Sequence, residues 1–323
     1  MTGRPDRRCQ PTPPSRRAGN WDRLRQPGGT MAAIAVIGCG VQGSAVVQRL
    51  RGAGYDVLVH DAHREKAGAL AASGAHPADT ASAAIARADY VLTVVTAGPA
   101  VKQVLLDPAN LTALGPGKLV VQMGTQSPGD ARECQRAVES TGAEFVTDVI
   151  HGPRDAILAG QVLLLFGGSP DQHRRVVTLL SSIGQSVPVG NAEQAAVFNA
   201  AGLCVLYALL HSFAIGSAMI ERAGIPLDAW FAHVKGSAVL MDFMAGFIGP
   251  AHFSTRNYGL FGPCQFSNDG AVHETAIISD LVQALALDRK LAESFAAAHR
   301  KAYDASARAD FTSVYDVLAP SRT

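Results

Sequence analysis

Charge is sparse in this chain. Only 17% of its 323 residues are Asp, Glu, Lys or Arg, and the formal net charge is +1. So small a balance gives no footprint for a nucleic-acid or membrane-surface partner. Cysteine is sparse too: Cys9, Cys39, Cys134, Cys204 and Cys264 are scattered, with no Cys-x-x-Cys and no Cys/His ligand spacing. That excludes a disulfide framework and a zinc ligand set, and dispersed thiols suit a reducing cytoplasm. The only closely spaced histidines are His60 and His63, so no metal is expected. No lysine occurs between Lys118 and Lys235. Residues 1–30 hold seven arginines and five prolines and almost nothing aliphatic, too little to nucleate a core. Lacking an apolar h-region, they do not read as a signal peptide. They read as a disordered basic extension, or as a start placed upstream of Met31. Within 193–224 the longest unbroken apolar run, Ala200 to Leu210, falls short of the ~18 residues a membrane span needs. The helix around it, 193–224, is therefore expected to be buried in a core.

The rest of the chain is rich in what those segments lack. Hydrophobic residues make up 48% of the sequence, enough for one large or two ordinary domains. From Ala32 onward, "AIAVIG", "YDVLVHD", "ADYVLTVVT", "GKLVVQMGT" and "AEFVTDVI" read as strands separated by helix-like sequence. This alternation predicts an α/β fold with a parallel, doubly wound sheet. The first turn holds Gly38-Cys39-Gly40-Val41-Gln42-Gly43, a G-x-G-x-x-G that follows a strand and opens a helix. Gly38 permits the tight turn, Gly40 opens the backbone to a pyrophosphate, and Gly43 lets helix and strand pack closely; the helix N-terminus favours the phosphates. Asp61 ends the second strand about 20 residues further on, where a ribose-binding acid is expected. The cofactor expected is NAD(P)H, with NAD favoured over NADP because a carboxylate at Asp61 repels a 2′-phosphate. Gly38, Gly40, Val41, Gln42, Gly43, Asp61, Ala62 and His63 form the expected cofactor set. His63, Arg64 and Lys66 keep NADP open. Thr96 and Thr125, at strand ends, are expected on the nicotinamide side.

From Ala32 to its end the chain resembles the imine reductase and β-hydroxyacid dehydrogenase superfamily, related to 6-phosphogluconate dehydrogenase. The motifs that carry the resemblance are "VIGCGVQG", "VVQMGTQSPGDARE" and "FVTDVIHGPRDAILAGQVLLLFGG". The resemblance implies a Rossmann domain over residues 31–190, followed by an all-helical substrate and dimerisation domain over 191–323. It also implies a homodimer and a small-molecule substrate. Two departures stand out. The family's Ser-Gly-Gly substrate loop is His151-Gly152-Pro153 here. Counting back from the shared Glu-x-Ala-Gly helix end, Glu221 to Gly224, the family's catalytic lysine falls on Asn199, and its amide partner one turn later is absent, with Gly202 and Leu203 there.

Imine reductases resemble this chain in lacking the lysine and in often carrying a tyrosine further along the helix, here Tyr207. The catalytic candidates are therefore Asn199, Tyr207 and His151. Tyr207 lies about 80° and His211 about 120° round the helix from Asn199, so one broad face can present all three. Three functions remain open: reduction of a C=N bond, a hydroxyacid dehydrogenase with His151 as acid/base, and a catalytically silent dinucleotide binder.

Overall fold

The computed structural model describes residues 32–95, 97–236, 268–306 and 313–318. Their strands are β1 (Ala33–Ile37), β2 (Asp56–His60), β3 (His76–Pro77), β4 (Tyr90–Thr93), β5 (Leu119–Gln122), β6 (Glu144–His151), β7 (Val162–Gly167) and β8 (Gly184–Gly190). Between them run α1 (Val41–Gly52), α2 (Arg64–Ala69), α3 (Ala81–Ala86), α4 (Ala97–Leu105), α5 (Pro108–Ala113), α6 (Pro128–Glu139), α7 (Arg154–Ala159) and α8 (Pro170–Leu180). The helices that follow are α9 (Ala192–Arg222), α10 (Leu227–Gly236), α11 (Asn268–Ala284), α12 (Lys290–Ala305) and α13 (Val314–Leu318).

The strands form one eight-stranded sheet in the order β3-β2-β1-β4-β5-β6-β7-β8. Chain order reverses between β1 and β4, and open α/β sheets bind ligands outside the carboxyl ends of the strands at such a switch. Side chains along each strand alternate between two apolar layers. Val36, Val59, Leu92, Val121 and Val146 join Val46 and Leu50 of α1 on one face. Ile37, Leu58, Val91, Val120 and Phe145 join Val101, Cys134 and Val138 on the other. The sheet is parallel, as expected, except at one pairing: β6 and β7 run antiparallel. A parallel crossover needs a dozen or more residues, and the segment from Gly152 to Gln161 is shorter, so the chain turns straight back through the single short turn of α7.

The chain divides into two compact units, Met1–Leu203 and Cys204–Thr323. The division falls inside α9, beyond the boundary expected at residue 190. Ala192, Ala195, Ala196 and Asn199 of that helix are buried, and all belong to the first unit. Beyond them α9 differs from the buried core helix that was expected. Val205, Leu206, Tyr207 and Leu210 are each more than half exposed. The whole helix has the length and apolar composition of a membrane-crossing helix, a pattern that soluble proteins also use where a helix is covered by another surface. In the second unit the chain breaks between α11 and α12, where Ala286 takes a left-handed φ of 52° and the Asp288 carboxylate accepts the Lys290 N–H.

Candidate active site

The glycines of the first turn have separable roles. Gly38 sits at φ 102°, and a Cβ there would lie 2.3 Å from the Val94 carbonyl oxygen. A Cβ at Gly43 would lie 1.9 Å from the Gly38 carbonyl oxygen. Both positions exclude a side chain because backbone meets backbone. Gly40 is different: a Cβ there would meet nothing within 4 Å, so this glycine leaves open space above the turn. Helices α3, α5, α6 and α8 are each capped by a side chain, from Thr80, Asp107, Ser127 and Ser169. Helix α1 has no capping side chain and no acidic residue in its first turn. Its first N–H groups are left for an anion, and together with the space over Gly40 they fit a pyrophosphate.

A cleft of about 660 Å³ opens beside this turn, lined by Gly38, Gly40, Asp61, Ala62, His63 and Lys66 among others. Asp61 already has work within the protein: Oδ2 accepts the Cys39 N–H at 2.7 Å and Oδ1 accepts the His63 N–H at 2.9 Å. A carboxylate has about four acceptor sites, so Asp61 can hold the turn and still receive ribose hydroxyls. Burial, with Asp61 beside it, pushes the Cys39 thiol up to about 12, and Cys39 is a packing residue. Arg64 lines a smaller cavity that Asp61 also borders. Val41 is 70% exposed at the helix start. The Gln42 amide donates to the Gly152 carbonyl at 3.1 Å, which ties the glycine turn to the loop after β6. Thr96 lies outside the described residues.

At the end of that loop's strand a second group assembles, apart from the residues that line the cleft. Asn199, 2% exposed, sits between two partners. Its Oδ1 lies 3.1 Å from His151 Nδ1, and its Nδ2 donates to Thr125 Oγ1 at 3.3 Å. The amide is thus satisfied by side chains that are themselves candidates. His151 is half-buried and Thr125 exposed. The His151 ring lies over Gly202, where a Cβ would stand 2.6 Å from Cε1 and 3.1 Å from Nε2. Tyr207 and His211 belong to the second unit. The Tyr207 side chain is 55% exposed, and His211 Nδ1 bonds to the Tyr207 carbonyl at 2.7 Å. Among the described residues no group of His, Cys, Asp and Glu could hold a metal ion.

Sequence reasoning passed over another polar set. Thr93, Gln122 and Thr147 are neighbours in register across β4, β5 and β6. All three are fully buried, and Thr93 Oγ1, Thr147 Oγ1 and both amide atoms of Gln122 have no hydrogen-bond partner. An unsatisfied buried group costs ~1–3 kcal/mol, so such a row, at the ends of β4 and β5 and midway along β6, is costly. The signal available in the sequence was a polar residue at the end of two apolar strands and inside a third.

Comparison with known proteins agrees with this geometry. The family model for the NAD binding domain of 6-phosphogluconate dehydrogenase matches residues 33–196. An NAD-dependent L-serine dehydrogenase of Pseudomonas aeruginosa is 30% identical over 181 residues, which are 54% of this chain and 61% of that protein. A probable 3-hydroxyisobutyrate dehydrogenase-like protein of Arabidopsis thaliana is 28% identical over 215 residues, 65% of this chain and 68% of that one. Among solved structures, the imine reductase from Myxococcus stipitatus in complex with NADP+ superposes with a TM-score of 0.82 at 24% identity. That match covers 88% of this chain and 99% of the imine reductase, and at this identity it speaks for the fold. The glycine turn, the uncapped helix and the match over just over half of the sequence lead to one assignment: the chain belongs to the family of the 6-phosphogluconate dehydrogenase NAD-binding domain, a family of NAD(P)-dependent oxidoreductases.

Proposed function

We propose that this chain is an NAD(P)H-dependent reductase of C=N bonds in which His151 handles the proton. The observation that supports it is the pairing of Asn199 with His151 where the family resemblance expects a lysine. Bound NAD(P)H supplies the hydride that reaches the substrate carbon. Asn199 cannot exchange a proton, since an amide has no useful pKa; His151 can, and histidine is the commonest general acid near neutral pH. An iminium carbon is already electron-poor, and its nitrogen loses charge as hydride arrives, so a strong acid is less necessary there than at a developing alkoxide. His151 serves by protonating the imine nitrogen beforehand.

A second reading, a hydroxyacid dehydrogenase with His151 as acid/base, is favoured by the names of the sequence relatives. Against it stands the substrate loop, where the carboxylate-binding Ser-Gly-Gly is His151-Gly152-Pro153. The third reading, a silent dinucleotide binder, rests on the missing lysine alone. We take NAD to be preferred, because Asp61 lines the cleft where a 2′-phosphate would stand; His63 and Lys66 line it too and are the groups that would admit NADP. The exposed apolar face of α9 supports a homodimer in which residues 191–323 form the subunit contact and the substrate walls. The free thiols of Cys39, Cys134 and Cys204 suit a reducing compartment such as the cytoplasm.

The test is consumption of NADH and NADPH with a small cyclic imine beside a β-semialdehyde acid. Faster turnover of the imine supports C=N reduction. Turnover of the semialdehyde alone overturns it in favour of the dehydrogenase, and turnover of neither, with tight cofactor binding, leaves the silent binder.

A further inference from the structure

Helix α9 offers the His151 ring two things one turn apart on the same face. Asn199 supplies a hydrogen bond, and Gly202, three residues on, supplies room. The room is specific. A methyl group at 202 would stand 2.6 Å from Cε1 and 3.1 Å from Nε2 of the ring, well inside contact distance. Behind Asn199, the Thr125 hydroxyl takes the amide nitrogen at 3.3 Å. The Gln42 amide, on the first turn of α1, holds the carbonyl of Gly152, the residue after His151. The ring is therefore located by α9, its loop by α1, and its polar edge by a buried amide.

The two ring nitrogens are not equivalent in this setting. Asn199 Oδ1 stands 3.1 Å from Nδ1, and an amide oxygen only accepts. The bond therefore requires a proton on Nδ1. Imidazolium carries protons on both nitrogens, so an oxygen at Nδ1 serves the charged and the neutral ring alike, whereas an amide NH2 turned toward it would oppose protonation. The nitrogen over Gly202, Nε2, is then the one that gains and loses a proton. We propose that Asn199, steadied by Thr125, is a positioning residue that fixes His151 in its Nδ1–H form and leaves Nε2 to exchange the proton with substrate. The proposal rests on His151 being the proton-handling group of the reading above.

The experiment is 15N NMR of the full-length protein labelled at histidine, with the His151→Gln variant used to assign the resonance among the ten histidines. The neutral His151 ring is expected to show a protonated Nδ1 and an unprotonated Nε2. Asn199→Leu removes that signature and lowers kcat by roughly tenfold to a hundredfold, within the range of general acid catalysis, while the Kd for NADH changes by less than about twofold. Asn199→Asp keeps an oxygen acceptor and restores both the signature and most of the rate. Should Asn199→Leu not fold, Thr125→Val at an exposed position loosens the amide and costs on the order of threefold to tenfold in kcat, the equivalent of one hydrogen bond. A neutral ring protonated at Nε2 overturns the proposal, as does an Asn199→Leu protein with unchanged tautomer and rate. The NMR needs no substrate, so failure to reduce any imine or semialdehyde removes the functional reading while the tautomer still decides the positioning role.

Discussion

In the first unit the largest side chains lie inside: Tyr55, Phe145, Phe166, Leu50 and Leu58 are almost wholly buried. In the second unit, among the described residues, small side chains such as Ala271, Ala292 and Ala302 are buried, while Leu206, Leu210, Phe231 and Ile277 are half exposed or more. Apart from Val41, Val197 and Phe198, which are more than half exposed in the first unit, the two units thus treat most of their largest apolar groups differently. A doubly wound sheet supplies its own cover, since each crossover helix lies on the strands it joins. A set of helices has no such built-in cover, and burying a large aliphatic or aromatic side chain is worth roughly 1.5–3 kcal/mol. The exposed face of the second unit is that gain not taken among the described residues, and a second copy is the proposed cover.

The largest effect that would break this contrast lies in the self-sufficient unit. Gly43→Val places a branched side chain where even a Cβ sits 1.9 Å from the Gly38 carbonyl oxygen. We expect the glycine turn to collapse, with a loss on the order of 3 kcal/mol or more and no measurable NADH binding. Calorimetry and fluorescence titration check both. Unaltered binding would mean that the turn has room the structure does not show.

The contrast is sharpened by charging the other unit. Leu206→Glu with Leu210→Glu, one turn apart on α9, is expected to convert the proposed dimer to monomers by light scattering and to abolish turnover. NADH affinity in the first unit should stay within about threefold. A monomeric native protein would remove the proposed cover altogether.

A third prediction concerns a cost hidden within the first unit. Asp148 is fully buried on β6, and burial raises its carboxyl from 3.8 to about 7, the Ser186 hydroxyl offsetting only part of that. The unfolded chain therefore releases this proton at lower pH than the folded one. Its contribution to stability is complete below about pH 4 and declines as the pH rises to 7. Asp148→Asn is expected to flatten that decline and to raise Tm at pH 8 by an amount worth about 1–3 kcal/mol. Equal Tm differences at pH 4 and pH 8 would contradict it. The smallest effect belongs to the surface pair Arg289–Glu293 on the second unit, both half exposed. Arg289→Ala should cost less than about 1 kcal/mol in urea unfolding, and a larger loss would mean that this surface is covered.

Much of the first unit was legible because its signals are local. The G-x-G-x-x-G needs only a strand before it and a helix after it, and Asp61 is placed by counting along the chain. The antiparallel β7 was not legible: "VLLLFG" is equally apolar in either direction, and only the short span from Gly152 to Gln161 decides the turn-back. In the candidate site, His151 and Asn199 were singled out separately, as departures from a family pattern. Their bond was not readable, because they stand 48 residues apart and meet only where the end of β6 faces the first turns of α9. Thr93, Gln122 and Thr147 went unnoticed for the same reason, each being unremarkable until three strands set them side by side.

The sequence by itself determined the dinucleotide turn, the strand-helix alternation and the absence of a lysine in the middle of the chain. These depend on residue type and on spacing of a few positions, which φ preferences and side-chain periodicity translate directly into local structure. Only the tertiary structure decided that Asn199 is a buried amide shared between Thr125 and His151, that Gly202 makes room for the imidazole, and that α9 passes from buried to exposed along its length. Each of these depends on which surfaces meet across long separations, and burial and hydrogen bonding then set what a side chain can do.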